Sequence, residues 1–398
     1  MFFEKITQLP VLPQHVQRLM ECINDAEVDV LKVVQILHVD PSLTARVLLV
    51  ANSPLYGLRR EVTRVGQAVM ILGLDATRNI ALSVSLFQMF RPSSDLILKP
   101  DEFWKHSLVV ACLARLIAKQ LKFEDPENAF TAGLLHDFGK IVIMKYFPKE
   151  FSLAVTRAKK QEGLLTELEN ESFGLDHTEV GKVLCKHWNF PASLSKTITQ
   201  HHEKIKITWP APVEDQDLTV IKIANNLAKL IPVGDSGNPF FEIQAIQICR
   251  LIGLEEKDVK KIFRQLPEEL NHLGAFFDLE LSAAFAKPDS NSPRVAMVIS
   301  DLDEKSYLNL LLSAMGIEAV DYSITQFEEI REAAVIVSED LIPLHLRKIE
   351  KEGILLLSWK DWKASSPLVE QGHFHMLSLH KWMREQLLSQ QSQKMGVA

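Results

Sequence analysis

The feature that most constrains the fold is the helical spacing of apolar residues, which continues from segment to segment over about the first 285 residues. In residues 30–37 and 43–51, apolar side chains recur every three or four positions, the period of an α-helix. Asp40 and Pro41 suit a helix start, because Asp can cap free N–H groups and Pro lacks the N–H that would be unpaired there. The spacing predicts an all-α domain over residues 1–285.

The pattern changes after residues 286–293, AKPDSNSP, which contain two prolines, two serines and no large apolar residue. This composition is typical of a linker. Beyond it, short apolar runs of strand type alternate with helical segments, and the runs occupy residues 294–300, 317–322, 333–337 and 354–358. The alternation predicts a small parallel α/β domain over residues 294–398, ending in a C-terminal helix and a polar, frayed tail.

Composition and charge exclude several classes of protein. Of the 398 residues, 47% are hydrophobic and 24% are charged, as in ordinary globular domains. The net charge of −7 gives no global positive field for nucleic acid or acidic lipid, so we expect neither as a partner. The four cysteines are widely spaced and form no Cys-x-x-Cys pair. Glu4 and Lys5 interrupt the apolar N-terminus, and we expect no signal peptide, no membrane segment and a cytoplasmic location.

The sharpest local signal is LLHDFGK, residues 134–140, in which His136 and Asp137 follow an apolar helix and Gly139 permits a tight turn. An imidazole nitrogen and a carboxylate are suitable ligands for iron, manganese or zinc. Further histidines lie near predicted helix ends, namely His106, His177, His201 and His202. Helix ends on one side of a bundle could bring these side chains to one metal site. The alternative is that each residue caps its helix or satisfies a buried backbone group.

The order of these residues resembles the HD superfamily of metal-dependent phosphohydrolases. The resemblance implies that His106, His136, Asp137 and a later Asp hold a divalent metal, and that two-metal members add His177 and His201 or His202. It also implies that Lys140, the candidate catalytic residue, faces the phosphate. Asn225, in VIKIANNLAKL, matches the later Asp, and its neutral carbonyl oxygen is a weaker metal ligand. The Gly-Tyr-Pro that follows the paired histidines in cyclic-di-GMP hydrolases is missing from HHEKIKITWP.

Three N-terminal segments point to one branch of that superfamily. LPVLPQHV (9–16), ILHVDPSLTARVLLVANSPLYG (36–57) and QAVMILGLDATRNIAL (67–82) closely resemble the HDOD family, an HD-related output domain of bacterial signalling proteins. The resemblance is clear over residues 5–210, is weaker up to residue 285, and implies an all-α HD-like fold. The motif residues themselves favour packing over catalysis, because Asn52, Gly57 and Gly73 are suited to shaping helix ends.

The C-terminal region resembles a response-regulator receiver domain, which has a flavodoxin-like fold. Acidic residues follow the predicted strands, where a parallel sheet places its ligands, at Asp301, Asp303, Glu339 and Asp340. Ser338 stands where the phosphoacceptor Asp is expected, and no fifth strand with a lysine follows. The resemblance therefore implies a degenerate receiver-like module without a phosphoacceptor.

Two functions follow from these patterns, while a third, nucleic-acid binding, has support only from scattered clusters such as Arg59-Arg60 and is opposed by the acidic net charge. The first is a bacterial signal-transduction regulatory protein whose HDOD domain binds a partner protein or a small, nucleotide-like ligand with little or no catalysis. The alternative is a metal-dependent phosphohydrolase acting on a nucleotide or cyclic dinucleotide. Asn225 and the missing tripeptide favour the regulatory protein, while the retained His/Asp set favours binding of a divalent metal such as Fe, Mn or Zn.

Overall fold

The computed structural model describes residues 14–23, 30–39, 41–52, 58, 60–89, 97–203, 208–231, 233–242, 244–276, 279, 281, 294–299, 302–314, 318–321, 334–337, 355–358 and 373–375. Contacts divide the chain into two compact units. The first unit consists of Met1–Ala228, Val233–Asn238 and Ile262–Ala284, and the second of Lys229–Pro232, Pro239–Lys261 and Phe285–Ala398.

The N-terminal part of the first unit is helical, with side chains fixing the helix junctions. Thr44 Oγ1 donates a hydrogen bond to the Leu37 carbonyl at 2.7 Å. Asn52 Nδ2 donates to the Val62 carbonyl at 2.8 Å, and Asn52 Oδ1 accepts from the Val62 N–H at 2.7 Å. Gly73 has a φ of 84°, a left-handed conformation that favours glycine. The helices are α1 (Gln14–Ile23), α2 (Val30–Val39), α3 (Pro41–Ala51), α4 (Val65–Leu72) and α5 (Leu74–Met89).

The helices that carry the predicted site follow in the same unit. They are α6 (Pro100–Gln120), α7 (Pro126–Leu135), α8 (Phe138–Tyr146), α9 (Pro148–Lys159), α10 (Leu165–Phe173), α11 (His177–His187), α12 (Ala192–Gln200), most of α13 (Val213–Lys229) and the C-terminal part of α15 (Glu256–Phe276). The predicted helical domain is confirmed.

Helix α6 is the central element of this bundle, since almost every side chain from Phe103 to Ala118 is buried. It includes Arg115, whose guanidinium forms ion pairs with Glu127 of α7 and Glu269 of α15. Burying a charge is costly unless it is paired, so this cluster ties three helices together. No helix among the described residues is long and apolar enough to cross a membrane.

Two glycines allow the helices around the predicted site to approach one another closely. A Cβ on Gly139 of α8 would lie 1.9 Å from the His177 carbonyl oxygen, at the start of α11. A Cβ on Gly133 of α7 would lie 2.7 Å from Ala111 Cα in α6. Any side chain at either position would push apart the helices that carry the site residues.

The second unit combines helices with two sheets. Strands β1 (Phe240–Glu242) and β6 (His373–His375) form an antiparallel pair. The other sheet is parallel with the order β3-β2-β4-β5, in which Ala296 of β2 lies opposite both Val320 and Val335. The elements are β1, α14 (Gln244–Leu251), the start of α15, β2 (Arg294–Val298), α16 (Leu302–Ala314), β3 (Glu318–Asp321), β4 (Ala334–Val337), β5 (Leu355–Ser358) and β6.

The contact-based units differ from the predicted domain limits at residues 229–232 and 239–261, which the sequence assigns to the N-terminal domain. Residues 239–261 contact the C-terminal region because β1 pairs with β6 and the Phe241 ring lies 4.7 Å from the Tyr307 ring. The predicted linker, residues 286–293, and the predicted tail lie outside the described residues, as do Asp301, Ser338, Glu339 and Asp340. The receiver-like assignment and the domain limits stay predictions.

Candidate metal centre

The structure brings the predicted site residues together in the first unit. His136 and Asp137 form the junction between α7 and α8, and Lys140 lies in the first turn of α8. The sequence places His106 at a helix start, but α6 already begins at Pro100, so His106 lies in its second turn.

Three more helices complete the cluster. His177 is the first residue of α11, the paired histidines follow α12, and Asn225 lies within α13. We call the following seven side chains the His/Asp centre: His106, His136, Asp137, His177, His201, His202 and Asn225.

Two groups within the His/Asp centre could hold a metal ion, and Asp137 belongs to both. One group is His106, His136 and Asp137, and the other is Asp137, His177, His201 and His202. Within each group the potential ligand atoms lie within 4.8 Å of one another.

Backbone carbonyls fix the tautomers of two of these histidines. His136 Nδ1 lies 2.7 Å from the Gly133 carbonyl oxygen, and His201 Nδ1 lies 3.0 Å from that of Ile198. Because a carbonyl oxygen can only accept, each Nδ1 carries a proton and donates it. The Nε2 atom of each neutral ring is therefore left with a lone pair, the form that binds a metal.

Glu169, which the sequence analysis did not select, holds the third imidazole. Glu169 Oε2 accepts from His177 Nδ1 at 2.6 Å and from the His177 backbone N–H at 3.0 Å. Burial lowers the pKa of His177, but the Glu169 carboxylate outweighs it, and the pKa rises to about 9. The sequence contains one indication that Glu169 is buried. It follows the apolar Leu165 by one helical turn and so lies on the core face of α10.

Asp137 is the common contact of the surrounding groups. Its Oδ1 lies 3.3 Å from Nε2 of both His177 and His201, and its Oδ2 accepts from Lys140 Nζ at 2.6 Å. Burial alone would raise the pKa of Asp137, but its interactions with His136, Lys140 and His177 outweigh burial and hold that pKa well below its ordinary value. Asp137 is therefore a carboxylate at neutral pH.

The paired histidines, His201 and His202, remain neutral because burial disfavours the charged form of each ring. Burial lowers the pKa of His201 to about 3 and holds that of His202 well below its ordinary value. Lys222 of α13 supports this turn by donating to the carbonyls of His201 and Glu203, at 3.1 and 2.5 Å. Neutral imidazoles in a fixed turn are suitable metal ligands.

Among the residues that the structure describes, several buried polar atoms of the His/Asp centre have no hydrogen-bond partner. They are Asp137 Oδ1 and the Nε2 atoms of His136, His177, His201 and His202. Buried polar atoms are normally paired, because an unpaired one costs about 1–3 kcal/mol. A cation satisfies such a set of atoms, so these residues fit a divalent metal ion.

Most of the centre is buried, and His202 is its one partly exposed member. His136 is 0% exposed, and Asp137 and His177 are each 1% exposed. Lys140 is also buried, and besides Asp137 it donates to the Ser236 carbonyl at 3.0 Å. His106 Nε2 lies 3.1 Å from Asn225 Oδ1.

A cavity of about 490 Å³ lies elsewhere on the first unit, near the α4–α5 junction. Three carboxylates contribute to its wall, from Glu124, Asp125 and Asp217. Burial, with the Asp125 carboxylate adding to it, raises the pKa of Asp217 to about 7. Among the described residues, no cation forms an ion pair with Asp217. No pattern in the sequence predicts this cavity.

Comparison with known proteins places these observations in a family. A model of the HDOD domain matches residues 9–204. An HDOD domain protein of unknown function from Geobacter sulfurreducens has a similar structure, with 31% sequence identity and a TM-score of 0.55. That match covers 70% of this chain and 95% of the other. No curated protein sequence matches the chain.

Two further solved structures are similar. A candidate phosphohydrolase from Shewanella amazonensis SB2B is 25% identical with a TM-score of 0.53, over 69% of this chain and 97% of the other. A candidate signal transduction protein from Marinobacter aquaeolei VT8 is 22% identical with a TM-score of 0.50, over 69% of this chain and 61% of the other. The second of these likenesses shows the fold alone.

Proposed function

This chain belongs to the HDOD family, and we propose that it is a signal-transduction regulatory protein whose HDOD domain binds a signalling partner and contains a buried metal centre without hydrolytic turnover. The proposal applies to the first unit, which carries the His/Asp centre. The second unit would transmit or modulate the signal.

The observation that carries the proposal is the burial of the centre. A hydrolytic metal needs an open coordination position that water and substrate can both reach. His136, Asp137 and His177 are shielded almost completely from solvent. Ligands buried to this extent among the described residues favour a bound ion that holds helices together over one that turns over a phosphate ester.

Lys140 and Asn225, the positions at which related phosphohydrolases bind phosphate and metal, support the same conclusion. Lys140 is held by the Asp137 carboxylate and the Ser236 carbonyl, and its ammonium faces the protein interior. Asn225 supplies an amide where the related phosphohydrolases have a carboxylate, and its oxygen contacts His106. The centre therefore has neither a free cation for substrate nor the full negative charge of a two-metal site.

A metal ion fits this centre as a structural component. Asp137, His177, His201 and His202 would hold it, and when bound it would add its binding free energy to the stability of the fold. The junction of α7 with α8, the start of α11 and the end of α12 would thereby be fixed relative to one another. A regulatory domain gains a rigid scaffold from such an ion.

A protein partner fits the cavity better than a nucleotide does. The carboxylates of Glu124, Asp125 and Asp217 would repel phosphate groups and attract cationic ones. Val213, which is 78% exposed, adds an apolar element to the cavity wall. We therefore expect the partner to present a basic side chain next to an apolar one.

The C-terminal sheet supports a receiver-like role for the second unit. Counted within this sheet, its strands have the order 2-1-3-4, which agrees with the first four strands of the flavodoxin-like order. A module of this kind without a phosphoacceptor would act through binding rather than through phosphorylation.

The direct test is an assay of hydrolysis. The wild type and the His136→Ala/Asp137→Ala double variant are compared on cyclic dinucleotides and nucleotides with Mn²⁺ or Fe²⁺, and the metal content of each sample is measured. We expect equal, background rates in both proteins. Metal-dependent turnover in the wild type that disappears in the double variant would establish the phosphohydrolase instead.

A further inference from the structure

We propose that the His/Asp centre takes one divalent ion, held by Asp137 Oδ1 and the Nε2 atoms of His177, His201 and His202, and that a hydrogen-bonded His106–Asn225 pair closes the other half of the centre to metal. This inference rests on the metal centre of the proposed function and specifies which residues act in it.

The two oxygens of Asp137 have different surroundings. Oδ2 already accepts from the Lys140 ammonium at 2.6 Å. Oδ1 has no hydrogen-bond partner in the described part of the chain and lies 3.3 Å from each of two imidazole nitrogens, those of His177 and His201. The cationic Lys140 thus neutralises one side of the carboxylate, and the other side is available to an ion.

The histidines also divide into two sets, one on each side of the Asp137 carboxylate. The Nε2 atoms of His177 and His201 lie beside Oδ1, and His202 belongs to the same group of potential ligands. A metal bound at His177 Nε2 displaces the proton that this ring carries at neutral pH. On the other side, His106 Nε2 lies 3.1 Å from Asn225 Oδ1. An amide oxygen can only accept, so this nitrogen carries a proton and has no lone pair for a metal. If the amide were turned over, its NH₂ group would donate to the same nitrogen, which would again be occupied.

Too few donors remain on the His106 side to bind an ion. His136 Nε2 is without a hydrogen-bond partner, but it is 3.3 Å from Asp137 Oδ2, the oxygen bound by Lys140. A single imidazole beside a lysine ammonium does not retain a dication. A carboxylate at position 225 would allow a second ion to bind on the His106 side. It would accept the His106 hydrogen bond and would add the negative charge that a second dication needs.

The donor set indicates the kind of ion. Three imidazoles and one carboxylate are borderline ligands that suit Zn²⁺, and four protein ligands complete the coordination of a structural zinc site. A complete ligand set agrees with the burial of the centre, since no position is then left for substrate.

Metal stoichiometry tests the inference without any assay of activity. Purified full-length protein is dialysed against Zn²⁺ or Mn²⁺ and its metal content is measured by mass spectrometry, with circular dichroism to check folding. We expect one equivalent in the wild type, one equivalent in His106→Gln and none in His201→Gln. The Gln variants retain a polar side chain of similar length, which limits loss of fold.

A second set of variants tests the role of Asn225. We expect Asn225→Asp to bind a second equivalent of Mn²⁺, which electron paramagnetic resonance would detect as coupling between two ions. Asn226→Asp is the matched control, since it adds a carboxylate at the next position of the same helix, where the native Asn226 side chain donates to the Lys222 carbonyl, and it should stay at one equivalent.

The outcomes separate the two proposals. No metal in the wild type at any concentration would refute the metal centre of the proposed function itself. Two equivalents in the wild type, or loss of the ion in His106→Gln with the fold retained, would leave that centre in place but overturn the one-ion assignment. A single equivalent in Asn225→Asp would overturn the role given to Asn225.

Discussion

Glu169 is fully buried, and one of its oxygens accepts two hydrogen bonds from His177. A carboxylate behind a ligating histidine orients the ring and increases its basicity, and its loss lowers metal affinity about 10- to 100-fold. We predict this loss for Glu169→Gln, because an amide is neutral. Competition of the protein with a chelator for Zn²⁺ measures it. Glu171→Gln, in the exposed part of the same helix, is the control, and equal affinities of both variants would contradict the prediction.

Asp217 gives a prediction about pH. Its pKa is about 7 in the folded protein, whereas an unfolded Asp titrates near pH 3.9. Between these values the folded state retains a proton that the unfolded state has lost, so the free energy of unfolding decreases as pH rises, by at most about 1.4 kcal/mol per unit. Asp217→Asn should remove this decrease and be more stable than the wild type at pH 8 by about 1–2 kcal/mol.

Urea denaturation at pH 4 and pH 8 measures the effect. The exposed Glu124, on the same cavity wall, provides the control variant Glu124→Gln, which should keep the wild-type pH dependence. Equal pH dependence of Asp217→Asn and the wild type would contradict the assignment.

At the scale of single residues, the sequence indicated some site members and not others. His136 and Asp137 adjoin in a distinctive motif, and the order of the other histidines matched a known pattern. Ser236 could not be predicted, because it contributes only a backbone carbonyl to Lys140, from 96 positions away along the chain. The burial of the centre could not be predicted from the sequence either, because it depends on the packing of helices that are distant in sequence.

At the scale of elements, α8 can pack closely against the start of α11 only because residue 139 is a glycine. We predict that Gly139→Ala lowers the free energy of unfolding by about 3 kcal/mol, because its Cβ would overlap the His177 carbonyl oxygen. Gly66→Ala is the matched control, since that glycine is also helical and nothing lies within 4 Å of its added Cβ. It should be neutral or stabilising by about 0.5–1 kcal/mol. Similar urea midpoints for both variants would contradict the close approach.

Helices with a continuous apolar face were predictable, and short elements stabilised by distant contacts were not. The start of α13 at Val213 has no helical pattern in the sequence, because its first turn has acidic and amide side chains without apolar spacing. An ion pair between Asp215 and Lys196 of α12 fixes this turn instead. Strands β1 and β6 are each three residues long, and their pairing crosses more than half of the second unit's chain, so neither has a local signal.

For the whole molecule, the change in periodicity near residue 290 marks a change in local structure but does not fix which segments pack together. Residues 239–261 precede that change and still belong to the second unit. Arg250 donates to Ser306 at 2.8 Å, and β1 pairs with β6. Contacts formed between segments so far apart in sequence cannot be derived from periodicity, which reports only the local conformation of the chain.

This arrangement predicts the behaviour of the cleaved protein. Limited proteolysis should cut near Ser290, because the Pro- and Ser-rich composition there is typical of accessible linkers. The two fragments should then elute together in gel filtration without denaturant and separate in urea, because Phe241 on one fragment packs against Tyr307 on the other, with both side chains buried. Phe241→Ala should weaken this association, and the matched change Phe173→Ala, in the first unit, should not. Two separate peaks for the cleaved wild type without denaturant would show that residues 239–261 do not hold the C-terminal fragment.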